Sequence, residues 1–98
     1  MPKVTGVKLD KALFRSDLAR LPQEVRQEFA ARIELLKSNP GAKSLRVHKL
    51  GKGKKRKPAI WSMDLASNKS YKACFYLEGT IAIFLRADTH KEIDRQYP

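Results

Sequence analysis

From Leu35 to Met63 the chain contains no acidic residue. It has a single cysteine, Cys74, set in an apolar run. One thiol cannot build a disulfide framework or a cysteine-based zinc site, so the core must hold by packing, as suits a reducing compartment. No run approaches the roughly 18 apolar residues that span a bilayer, and Met1 to Gly6 lacks the apolar stretch of a secretory signal. These absences predict a soluble cytoplasmic chain without a cysteine-bound zinc. No internal repeat is present.

What is abundant is positive charge. In 98 residues, 21 lysines and arginines face 10 acidic residues, giving a net charge of +11. Such an excess points to nucleic acid, a ribosomal surface, an anionic membrane or an acidic protein. The charge concentrates in Gly51-Lys-Gly-Lys-Lys-Arg-Lys57. This internal, glycine-punctuated loop carries Lys52, Lys54, Lys55, Arg56 and Lys57, with Lys49 just before it, and suits phosphate-backbone binding. The length corresponds to one domain over residues 1–98, burying roughly two-thirds of its unfolded surface.

Leu13, Phe14, Leu18 and Leu21 fall at helical spacing, with Asp10 as a candidate N-cap. Pro22 interrupts and suits the first turn of a second helix, whose stripe is Val25, Phe29, Ile33 and Leu36; Asn39-Pro40-Gly41 must end it. Beyond Gly41 the period shortens. Leu45, Val47 and Leu50 suggest a short strand. From Ala59 to Leu65, Trp61, Met63 and Leu65 alternate with Ile60, Ser62 and Asp64. Tyr71 to Leu77 and Thr80 to Ala87 read as a hairpin around Glu78-Gly79, its register undetermined: Lys72 shares a face either with Arg86 or with Leu85. Asp88 to Pro98 is a short helix or an ordered tail, with Asp88 or Thr89 as cap. The expected fold class is α+β, an N-terminal helical hairpin on one face of a mostly antiparallel sheet, with the other face left for function.

Several polar residues stand where they call for a reason. Lys72 interrupts an apolar strand, where its charge must reach solvent or a partner. Arg86 does the same on the next strand and suits either a phosphate or an ion pair with Asp88 or Glu78. His90 is the residue with a pKa near neutrality at a plausible site position, whereas His48, in a basic strand, reads as structural. Trp61 and Tyr71 suit either base stacking or core packing. Asp64 suits an ion pair better than a general base.

The order of helical hairpin, His48-Lys-Leu-Gly51, Trp61-Ser-Met-Asp-Leu65, Ser70-Tyr-Lys-Ala-Cys-Phe-Tyr76, an apolar strand and Asp88-Thr-His90 resembles the RelE/ParE superfamily of bacterial type II toxins. The resemblance runs from about Leu9 to Tyr97. It implies a small basic toxin with an acidic antitoxin partner and with no metal, no cofactor and no membrane partner. In the RelE branch such toxins cut messenger RNA on the translating ribosome without a metal; in the ParE branch they inhibit DNA gyrase and cut nothing. By resemblance Lys72 takes the place of a phosphate-contacting arginine, His90 that of the acid/base group, and Tyr97 that of a late aromatic at the cut site. Arg86 joins them in holding the phosphate, and Lys49, the loop cations and Trp61 contact RNA. Two departures stand out. Ser62 and Asp64 replace lysines that some members carry, and Ile93 stands three residues after His90 where a tyrosine is usual. A ribosome-dependent endoribonuclease is the leading expectation; a gyrase inhibitor and a non-catalytic RNA-binding relative are the alternatives.

Overall fold

The computed structural model describes residues 2–51, 58–67 and 70–97. The first expected helix is α1, Ala12–Arg20, and the second is α2, Gln23–Ser38. Asp10 does not cap α1; Lys11 holds that position without a side-chain bond. Pro22 is the N-cap of α2, one residue outside its first turn, and its carbonyl accepts from the N–H groups of Val25 and Arg26. The stripe Val25, Phe29, Ile33 and Leu36 is buried as its spacing requires.

Among the described residues five strands form one sheet: β1 Gly6–Lys8, β2 His48–Lys49, β3 Trp61–Asp64, β4 Tyr71–Glu78 and β5 Ile81–Thr89. Their spatial order is β1-β5-β4-β3-β2, with β1 parallel to β5 and the other pairs antiparallel. The edge strand β1 has no counterpart in the sequence reading. The segment read as one strand through Leu45 and Leu50 divides instead into a 3-10 turn, Lys43–Leu45, and the two-residue β2. Between them Arg46 takes the left-handed conformation, φ 48. The β4–β5 turn is Gly79-Thr80, with Gly79 at φ 64, a value that favours glycine.

The hairpin register is now fixed. Lys72 pairs with Asp88 and Cys74 with Arg86, so Lys72 and Arg86 share a face. Past Cys74 the partner number drops by two, and Leu85 is the extra residue of a bulge. Across β3, Ser62 pairs with Cys74 and Asp64 with Lys72, placing both on that same face.

The opposite face carries the main core. Met63, Leu65, Ala73, Phe75, Ala82, Phe84 and Ala87 pack with Phe14 of α1 and the stripe of α2. Phe14, Phe29, Phe75 and Phe84 form a ring cluster with centroids 5.1 to 5.9 Å apart. Removing one such ring costs about 3–5 kcal/mol.

The face expected to be uncovered is partly covered. The terminal segment is a helix, α3, His90–Gln96, whose fully buried Ile93 packs with Leu50, Ile60 and Cys74 as a second small core. Thr89 caps it: its Oγ1 accepts from the N–H of Glu92 at 3.3 Å. Among the described residues no helix is long and apolar enough to cross a membrane.

Candidate functional site

At the junction of β5 and α3 the chain turns, and His90 is pinned there by its N–H, which donates to the Ser70 carbonyl at 3.0 Å. Its ring reaches across the sheet to β3, where Nε2 lies 3.3 Å from Asp64 Oδ1. A carboxylate can only accept, so this contact assigns the hydrogen to Nε2 and leaves the lone pair on Nδ1. Burial and the positive charge of Lys72 hold the His90 pKa below its usual 6.5, against the opposing pull of Asp64; Arg46 lowers it further. His90 is therefore neutral at physiological pH and able to take a proton.

Asp64 is almost wholly buried, its side chain 1% exposed. Its second oxygen, Oδ2, lies 3.2 Å from Nε of Arg46, at ion-pair distance but without hydrogen-bond alignment, and has no hydrogen-bond partner among the described residues. His48 holds the Arg46 backbone in place. Its Nδ1 must donate to the Arg46 carbonyl at 2.7 Å, which leaves Nε2 to accept from Ser62 Oγ at 3.2 Å. The expected structural role of His48 thus has a specific target: it supports the residue beside Asp64.

Lys72 is buried, and its Nζ donates to Asp94 of α3 at 2.9 Å. The charge is satisfied by α3, and it stands close enough to His90 to depress its pKa.

Arg86 has a different geometry from the one expected. Its partner is neither Asp88 nor Glu78 but Asp17 of α1, to which Nε and Nη2 donate at 2.6 and 3.1 Å. Nη1 reaches Gln96 at 3.4 Å. A guanidinium with its fork on a buried carboxylate and its remaining arm on Gln96 is a clamp between α1, β5 and α3. Tyr97 ends α3, where its side chain hydrogen-bonds Cys74; burial pushes that thiol up to about 11, leaving it unreactive.

Of the expected RNA contacts, Lys52, Lys54, Lys55, Arg56 and Lys57 lie outside the described residues. Lys49 and Trp61 pair across β2 and β3, with the Lys49 ammonium 5.4 Å from the Trp61 ring centroid. Trp61 also packs on the main core. The structure brings together His90 and Lys72 and adds Asp64, Arg46 and Asp94. The alternation of β3 marked Asp64 as facing away from the core; its link to His90 spans 26 residues and left no local signal.

No protein-family model and no curated protein matches the sequence. Solved structures do. The RelB-RelE antitoxin-toxin complex from Methanococcus jannaschii aligns over 90% of this chain and 96% of its own, at TM-score 0.64 and 21% identity. The archaeal RelE-RelB complex from Pyrococcus horikoshii aligns over 91% and 96%, at 0.62 and 14%. The toxin-antitoxin complex RelBE2 from Mycobacterium tuberculosis aligns over 92% and 100%, at 0.52 and 23%. The chain has the fold of the RelE toxins.

Proposed function

We propose that this chain is the toxin of a toxin–antitoxin pair and a metal-independent endoribonuclease that cuts messenger RNA on the ribosome. The observation that carries the reading is the contact between His90 and Asp64. It gives a neutral imidazole whose Nδ1 has no partner among the described residues, fixed by a buried carboxylate and flanked by the cations Lys72 and Arg46.

In this mechanism Nδ1 of His90 takes the proton of a ribose 2′-hydroxyl, and Asp64 stabilises the imidazolium that forms, as the acid of a catalytic triad does. The 2′-oxygen bonds to phosphorus while the bond to the 5′-oxygen breaks. The products are a 2′,3′-cyclic phosphate and a 5′-hydroxyl that takes its proton from water. Lys72 supplies positive charge for the phosphorane. Tyr97, the C-cap of α3, orients the RNA. Lys49, Trp61 and the basic loop dock ribosomal RNA, whose phosphates position the protein without reading sequence.

The partner would be an acidic antitoxin. A +11 chain with the fold of toxins crystallised with RelB supports that assignment, and a cytoplasmic location follows from the ribosomal target.

The test is expression from a tight promoter with transcript ends mapped in translating cells and in cells blocked at initiation. Cuts that require translation support the proposal. Growth arrest with intact transcripts and DNA-damage signalling would instead favour gyrase as the target, and normal growth a non-catalytic binder.

A further inference from the structure

Three cations have been placed near the site face, and they are not equally free. Lys72 has a side chain only 6% exposed and is bonded to Asp94. Arg86 gives its fork to Asp17 and its remaining arm to Gln96. Arg46 is 44% exposed, and its contact with Asp64 has the distance of an ion pair without the alignment of a hydrogen bond. Three features thus coincide at Arg46: an accessible fork, a loosely held partner and a left-handed backbone. Strain of that kind persists only where the surroundings enforce it, and here His48 grips the Arg46 carbonyl.

We infer that Arg46 receives the scissile phosphate, and that in moving from Asp64 to that phosphate it leaves Asp64 undivided to His90. The assignment rests on the endoribonuclease reading and gives the phosphate a guanidinium that is not already bonded, as that of Arg86 is to Asp17.

The chemistry favours the exchange. A guanidinium matches a phosphodiester with two parallel hydrogen bonds, whereas its present contact with Asp64 gives none. Four charged groups face His90 or its immediate partners: Asp64 from β3, Lys72 from β4, Arg46 from the turn before β2 and Asp94 from α3, the last through Lys72. In the free protein Arg46 neutralises part of the Asp64 charge and also opposes protonation of His90 directly. Once Arg46 turns to the phosphate, both effects weaken, and His90 becomes a stronger base while the 2′-hydroxyl is in place. Substrate binding thereby raises the basicity of the group that attacks it, and a free toxin keeps a weaker base.

The experiment uses the full chain, an RNA oligonucleotide methylated at every 2′-oxygen for affinity and for NMR titration of the His90 imidazole, and an unmethylated message on the ribosome for cleavage. Arg46→Gly suits the left-handed backbone and keeps the fold; Arg46→Lys keeps the charge without the fork. For the wild type the His90 midpoint should rise when the oligonucleotide binds. In Arg46→Gly it should be raised already and stay unmoved by the oligonucleotide, with affinity and cleavage each reduced at least about tenfold; Arg46→Lys should fall between. A wild-type His90 that does not move on binding, or an Arg46→Gly protein that binds and cleaves like wild type, overturns the assignment. If the wild type cleaves no RNA yet shows the Arg46-dependent shift, the phosphate site stands and the nuclease reading fails. Should cleavage persist unchanged in Arg46→Gly, the nuclease reading stands and this inference fails.

Discussion

Asp17 of α1 and Arg86 of β5, 69 residues apart, are joined by two hydrogen bonds of 2.6 and 3.1 Å. The same carboxylate accepts from the Ala87 N–H at 3.0 Å and from Arg20 at 2.7 Å. Because β1 pairs with β5 only from Ile81 to Ile83, the strand edge at Ala87 has no neighbouring strand, and Asp17 satisfies it. An open edge that would otherwise invite a foreign strand is closed by one side chain.

Asp17→Ala should therefore destabilise the protein by about 3 kcal/mol, because it strips the partner from a mostly buried guanidinium and orphans a backbone N–H. Burial alone would raise the Asp17 pKa, but the bonds from Arg86 and Ala87, the Arg86 charge and the Arg20 bond outweigh it and hold the carboxyl below its ordinary range. A depressed folded pKa means that the stabilisation is complete above the unfolded value of about 4 and fades as pH falls through the folded one. Denaturant midpoints from pH 7 down to 3 should show a steeper acid loss for wild type than for Asp17→Asn.

His90 offers a second titration. Its folded pKa lies below 6.5, so the His90 contribution to stability is present above the unfolded value and lost as pH falls through the folded one. Removing the carboxylate with Asp64→Asn should lower the midpoint further, and removing the cation with Lys72→Met should raise it. Opposite movements in an NMR titration would place the wrong groups around the ring.

The cap of α3 should matter beyond its size. Thr89→Ala should cost about 1 kcal/mol, and Thr89→Ser a small part of that. Since α3 carries Ile93 into the second core and Asp94 to Lys72, amide exchange in residues 90–96 should rise before global unfolding does.

The two helices and the β4–β5 hairpin were legible because their apolar periods extend over many residues. The α+β class followed from them. The site was legible only in part. His90 and Lys72 stood out because a titratable group and a buried charge violate an otherwise apolar pattern. Asp17 gave no such sign: it lies between Arg15 and Arg20 on a helix, and its burial comes from the edge of a strand far along the sequence. The same distance hid the partner of Arg86, for which the sequence offered the local Asp88 and Glu78. Leu45 to Leu50 failed as a strand because Arg46 turns left-handed there, a conformation that no residue type in that segment announces.

Lys54, Lys55, Arg56 and Lys57 lead to a prediction from charge alone. Replacing all four with alanine should weaken ribosome binding and reduce the slope of log affinity against log salt by roughly one unit per lost phosphate contact. Binding measured at several salt concentrations decides it, and an unchanged slope removes the loop from the interface.

In the proposed mechanism His90, held by Asp64, draws the proton from a ribose hydroxyl. That role is tested most directly by the cleavage rate of a ribosome-bound message with purified wild type and His90→Gln. The predicted result is a fall of about 10²- to 10⁴-fold, with cyclic-phosphate ends on the wild-type products. Equal rates for the two proteins, or no cutting by the wild type, would contradict it.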